Sequence, residues 1–195
     1  MFVLTVFSFV ELFAQIGAYP EDDQWFSFAV EQNGRPVKIK NNRVRLEKAP
    51  FTLVIITRGP IGLLVNFSER DTLFKGFLKN KVLADILEQP DRFMGMGEED
   101  LNPDEKIVID DHSAHYVYYE NTASHRFSNI AIEGEYVIGR RLISNYTSRT
   151  SGDEPIPIKQ LPADELYLSF MYGDWDENYN RVELQKEALK VIFRK

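Results

Sequence analysis

Apolar and polar residues alternate with a period of two along much of the chain, the pattern of strands that bury one face and expose the other. Trp25 to Gln32 puts Phe26, Phe28 and Val30 on one side. Asn33-Gly34 follows, a dipeptide that accepts the positive φ of a tight hairpin turn. The return strand, Pro36 to Lys40, has Val37 and Ile39 as its inward pair. Asn41-Asn42 is a second turn signal, and Arg43 to Lys48 alternates again through Val44 and Leu46. Phe51 to Thr57 is apolar on both parities, as a central strand covered on both faces must be. Gly59-Pro60 interrupts it, and Ile61 to Phe67 forms another apolar strand.

The period then lengthens once. Between Glu69 and Gln89, Leu73, Phe74, Phe77, Leu78, Val82 and Ile86 recur at helical spacing, with Ser68 as the expected cap, Asp71 as its capping-box partner and Pro90 as the stop. Gly76 weakens such a helix by about 1 kcal/mol relative to alanine, so packing has to hold it. Asp91 to Lys106 is rich in Gly and carboxylates and reads as a connector, with a lid as its functional alternative.

Strands resume at Ile107 to Ile109, His115 to Glu120, His125 to Ile132 and, after a turn at Glu133-Gly134, Glu135 to Ser144. Tyr146 to Pro162 carries Pro155, Pro157 and Pro162 and reads as an ordered excursion or edge segment, because proline cannot donate within a central ladder. Leu166 to Tyr172 is a strand, Gly173 to Asn180 a loop, and Val182 to Phe193 closes the chain with Leu189, Val191 and Phe193 alternating. About ten strands and one amphipathic helix over 69–89 predict a mainly β protein, an antiparallel β-sandwich or open barrel, as a single β-rich domain over 19–195.

Composition agrees with a sheet protein: 14 Phe and 9 Tyr among 195 residues supply the side chains that pack best on pleated surfaces. The formal net charge of −7, from 23 basic and 30 acidic residues, argues against a nucleic-acid partner and against direct binding to an anionic lipid surface. The absence of cysteine removes disulfides, thiolate catalysis and Cys-ligated zinc. Residues 1–18 open with an apolar run from Phe2 to Val10, followed by small residues at Ala14, Gly17 and Ala18 and an abrupt change to polar sequence. This is the pattern of a signal peptide, and it predicts an extracytoplasmic, periplasmic or secreted, location. Glu11 inside the run and the lack of a preceding Lys or Arg depart from that pattern; the alternative is a buried first element of the fold in a cytoplasmic protein. The run is too short for a membrane span, so the mature chain is not expected to insert directly.

Three stretches carry candidate chemistry. His112, His115 and His125 stand close to Asp110 and Asp111, a set of imidazoles and carboxylates suited to a transition metal. If His115 to Glu120 and His125 to Ile132 form a hairpin across Asn121 to Ser124, His115 and His125 face opposite sides and lie about 16 Å apart at roughly 3.3 Å per residue. The candidate metal or acid/base cluster is therefore Asp110, Asp111, His112 and His115, with solvated polar residues at a strand entrance as the plainer reading. Asp174, Asp176, Asn178 and Asn180 alternate as the first oxygen ligands of many calcium loops do. Tyr179 stands where an EF-hand needs glycine, and Gln185 where it needs glutamate, which leaves a non-EF calcium loop or an acidic turn. Trp175 and Tyr179 are candidate glycan- or peptide-binding aromatics, alongside the acidic triplet Glu98, Glu99 and Asp100.

The chain has no G-x-S-x-G, S-x-x-K, H-E-x-x-H, P-loop or G-x-G-x-x-G motif. These observations lead to an expected function: a non-enzymatic exported binding protein for a protein or glycan, without a cofactor unless calcium binds. One version is an antagonist of a basic enzyme or toxin, whose cationic cleft Glu98, Glu99 and Asp100 would fill. The alternatives are a metal-assisted hydrolase built on the Asp110 to His115 cluster and a structural subunit of an envelope assembly.

Overall fold

A computed structural model describes residues 19–59, 61–93, 106–112, 114–117, 129–148, 152–178 and 181–194. Residues 1–18, Glu98, Glu99, Asp100, His125, Tyr179 and Asn180 lie outside them, as does the side chain of Trp175.

Among the described residues, the architecture is that of a β-sandwich of open form with one α-helix. One sheet has the order β2-β1-β4-β9-β8, built from β1 (Phe26–Gln32), β2 (Arg35–Pro36), β4 (Phe51–Arg58), β8 (Asn129–Glu133) and β9 (Tyr136–Ile143). The second has the order β3-β13-β12-β5-β7, from β3 (Arg43–Glu47), β5 (Leu63–Ser68), β7 (His115–Val117), β12 (Glu165–Trp175) and β13 (Arg181–Arg194). A third, smaller sheet is β11-β10-β6, from β6 (Lys106–Ile109), β10 (Asn145–Ser148) and β11 (Gly152–Pro157).

The main core is made of the residues that alternation assigns inward. Phe26, Val30, Leu53 and Ile55 from the first sheet meet Val65, Leu168, Phe170, Leu189 and Val191 from the second, with Ile107, Ile109 and Tyr146 contributed by the small sheet. Strand β4 shows why its sequence is apolar on both parities. Leu53 and Ile55 enter this core, while Val54 and Ile56 join Ala29 and Ile138 in a cluster on the opposite face. The predicted turns also form: Asn33 and Gly34 have φ of 54° and 69°, and Asn41 and Asn42 have 51° and 55°. Part of the proline-bearing segment is an edge, β11, with Pro157 opposite Asn145, whereas its start, Tyr146 to Ser148, lies in β10, the middle strand of the small sheet.

Five expectations need correction. The helix does not run from 69 to 89: α1 covers Thr72–Leu78, and 3-10 turns follow at Leu83–Asp85 and Pro90–Phe93. Asn80 takes a left-handed φ of 52°, which no continuing α-helix permits. Ser68 does not cap α1; it ends β5, and Asp71 stands at the N-cap with its carboxylate paired to Lys75 at 2.7 Å rather than capping a backbone N–H. Gly76 has a packing reason, because a β-carbon there would fall within 2.8 Å of Ile86 Cγ1. The helical segment still does what amphipathicity predicts. Leu73, Phe74, Phe77, Leu83 and Leu87 cover Leu64, Tyr167, Met171 and Ala188 on the outer face of the second sheet. Glu183 on β13 accepts from the Leu83 N–H at 2.8 Å, tying the first 3-10 turn to the sheet.

Among the described residues, the two ends of the hairpin expected between His115 and Ile132 do not pair with each other. Strand β7 pairs with β5 in the second sheet, and β8 pairs with β9 in the first. Ile132, the last residue of the expected second strand, is exposed. The sandwich is not wholly antiparallel: β6 with β10 and β3 with β13 are parallel pairs. The strand begun at Leu166 extends to Trp175, so Asp174 pairs with Val182 inside the ladder rather than starting a loop.

Candidate functional site

Strand β5 alternates Leu63, Val65 and Phe67 into the core, which leaves Leu64, Asn66 and Ser68 on the outer face. Strand β6 ends beside it, with the Asp110 N–H donating to the Phe67 carbonyl at 3.0 Å. The corner that follows is built from polar side chains bonded to one another. Asn66, fully buried, donates from Nδ2 to the Asp110 carbonyl at 2.7 Å. Asp110 Oδ1 accepts the His112 N–H at 2.8 Å, an Asx turn that sets the direction of the chain. Both oxygens of Asp111 are engaged: Ser68 Oγ donates to Oδ1 at 2.6 Å, and Arg70 Nε lies 2.9 Å from Oδ2. Ser68 Oγ also accepts the Arg70 N–H at 2.8 Å, which locks the clamp to the backbone.

This corner lines a pocket of about 740 Å³. Glu69 and Arg70 border it at the end of β5, Asp110, Asp111 and His112 at the end of β6, and Tyr146 on β10. Ile156 and Pro162 supply apolar wall. Burial, and then the Glu69 carboxylate, pushes the Tyr146 phenol above its ordinary pKa, so it remains a neutral hydroxyl over the physiological range.

The fold therefore divides the four-residue cluster. Asp110, Asp111 and His112 share the pocket wall, whereas His115 is absent from it. His115 lies opposite Val65 in the register of β5 and β7, is 2% exposed, and meets Phe67 edge-to-face at 5.4 Å between ring centres. Its Nε2 accepts the Val108 N–H at 3.1 Å, so that nitrogen carries no proton and is directed at backbone. Among the described residues, no group of three or more His, Asp or Glu side chains is arranged to hold a metal ion.

The second candidate is less gathered. Asp174 is exposed within β12, and Asp176 Oδ1 accepts the Asn178 N–H at 2.8 Å in the turn that follows. Of the aromatics, Trp25 is partly exposed and packs against Tyr172 with ring centres 5.2 Å apart.

Glu69, Arg70, Tyr146, Ile156 and Pro162 are pocket residues that sequence reasoning did not single out. One signal pointed at Tyr146, an aromatic at the head of an otherwise polar, proline-bearing stretch. Nothing local joins it to Asp110 more than thirty residues away. No family model, curated protein or solved structure matches the chain. Among the described residues, no helix is long and apolar enough to cross a membrane.

Proposed function

We propose that the protein is a non-enzymatic binding protein whose pocket between the ends of β5 and β6 and the small sheet takes a polar, hydroxyl-rich ligand of glycan type. The observation that carries this reading is the pocket wall itself. Carboxylates from Glu69, Asp110 and Asp111, the Arg70 guanidinium, the His112 imidazole and the Tyr146 hydroxyl surround one recess. Its volume lies within the roughly 300–1,000 Å³ of small-molecule sites. Sugar hydroxyls donate and accept at once, so a wall mixing carboxylate, guanidinium and phenol groups suits them, and apolar patches such as Ile156 and Pro162 suit the C–H faces of a sugar ring.

Binding is favoured over metal-assisted hydrolysis by how the polar atoms are already used. Asp111 is held by Ser68 and Arg70, Asp110 by His112, and His115 is turned into the core. Groups held this way are oriented contact points rather than free bases. Export, expected from the apolar start of the chain, belongs to the same proposal, and N-terminal sequencing of the protein from its native host tests it.

Saturation-transfer NMR with maltotriose, cellotriose and chitotriose tests the ligand class. Transfer to one of these that disappears in the exposed-residue variants Glu69→Gln and His112→Ala supports the reading. Absence of transfer to all three overturns it.

A further inference from the structure

The hairpin around Asn41-Asn42 concentrates positive charge in a chain whose formal net charge is −7. Both asparagines are left-handed, and Lys40 and Arg43 exchange backbone hydrogen bonds of 2.9 and 3.1 Å across them, the geometry of a two-residue turn. Residues that face each other across such a turn share a face. Lys38 and Arg45 therefore join Lys40 and Arg43 on one side, while Val37, Ile39, Val44 and Leu46 pack toward the core. The parallel pairing of β3 with β13 sets Ile192 beside Arg45 and brings Arg194 next to them. Together these cations rim a groove of about 480 Å³ with Ile192 in its wall.

Internal charge offsets this face only in part, through the attraction between Arg43 and the Glu165 carboxylate at its border. Lys38, Lys40, Arg43 and Arg45 form no ion pair with a described residue. Two carboxylates on the same face are already engaged, Glu47 with Arg194 at 3.3 Å and Glu165 with Lys190 at 2.7 Å. Like charges placed opposite one another on a sheet surface repel, and an anion spanning the two strands removes that repulsion.

We infer that this groove binds a compact anion carrying two or more phosphate or sulfate groups. Arginine is suited to it, because the guanidinium fork matches an oxyanion in two places at once. Arg43 and Arg45 are two residues apart on one strand, about 7 Å at roughly 3.4 Å per residue, a span that neighbouring phosphates of one small molecule bridge. A long polyanion fits poorly. Outside the groove the chain is more negative than its net −7, and a strand running past the five cations meets that surface. The same chemistry is presented by a free polyphosphorylated molecule and by a multiply phosphorylated lipid headgroup.

Calorimetric titration with inorganic tripolyphosphate at low and at physiological salt tests the inference. Saturable heat is expected, weakening as salt rises, with a dissociation constant at least about tenfold larger in the Arg43→Gln/Arg45→Gln double variant. Lys159→Gln, an exposed cation outside the groove, should leave it unchanged. The absence of saturable heat, or equal constants for the native chain and a double variant with an unaltered circular dichroism spectrum, overturns the proposal. Co-sedimentation with phosphatidylcholine vesicles containing phosphatidylinositol bisphosphate, lost in the double variant and absent with phosphatidylcholine alone, assigns the headgroup as the source. Tripolyphosphate binding without co-sedimentation assigns a free anion. Tighter binding to duplex DNA than to tripolyphosphate overturns the compact-ligand reading.

Discussion

The pocket beside Asp110 and the groove beside Arg43 are both polar recesses on the sandwich, and they are built in opposite ways. At the corner of the pocket the polar groups are bonded to one another: Asp111 between Ser68 and Arg70, Asp110 against the His112 N–H, Asn66 against the Asp110 carbonyl. In the groove, four cations of one sign share a face and none has an ion-pair partner among the described residues. Compensation within the chain makes a rigid wall, since each bond fixes the rotamer of the next. Uncompensated charge stores repulsion that a ligand relieves. A stability measurement therefore distinguishes the two recesses before any ligand is known, because removing charge should act with opposite sign in each.

The largest effect is expected in the pocket. Asp111→Ala removes the short bond from the buried Ser68 hydroxyl, leaving it only the Arg70 carbonyl at 3.0 Å, and frees the Arg70 guanidinium, and stability should fall by about 1 kcal/mol in urea or thermal unfolding. No loss of stability would show that the clamp is incidental and that the two recesses are alike. In the groove, Arg43→Gln/Arg45→Gln in the absence of ligand should raise stability by about 0.2–1 kcal/mol at low salt, and the gain should shrink at high salt as screening weakens the native repulsion. A loss of stability, or a gain indifferent to salt, would break the contrast.

The smallest effect concerns the border of the groove and is read through pH. Hydrogen bonds from Lys190 first and Tyr167 next hold the Glu165 carboxyl below its ordinary pKa, against the opposing effect of burial, and the charge of Arg43 adds to them. With the folded-state value below the unfolded one, this carboxylate adds stability above the ordinary carboxylate range and loses it as pH falls through the folded value. Glu165→Gln should therefore lower the melting temperature at neutral pH, and the gap from the native protein should close in acid. A gap that stays constant from neutral to acid pH would remove Glu165 as the anchor of that border.

Much of the fold was legible where neighbours in sequence are neighbours in space. Asn33-Gly34 and Asn41-Asn42 make their turns because Asn and Gly tolerate positive φ. Strand β4 advertises its double burial by being apolar on both parities. The charged face of the second hairpin was equally present in the alternation of Lys38, Lys40, Arg43 and Arg45, but a net charge summed over the whole chain concealed it. The failures occurred where partners are remote. His115 and Ile130 are close enough in sequence to suggest a hairpin, yet β7 completes the second sheet beside β5 and β8 the first beside β9. The helix broke at Asn80 because the 3-10 turn at Leu83–Asp85 can then reach Glu183 on β13, a contact invisible in the local pattern.

The sequence by itself determined the class of the protein, its strand faces and its tight turns, because those depend on a two-residue period and on backbone sterics within a few residues. Only the tertiary structure decided which polar residues share a site. The hydrogen bonds that place Asp110, Asp111 and His112 beside Ser68 and Arg70, and turn His115 into the core, cross between strands more than forty residues apart, and no local preference encodes such a meeting.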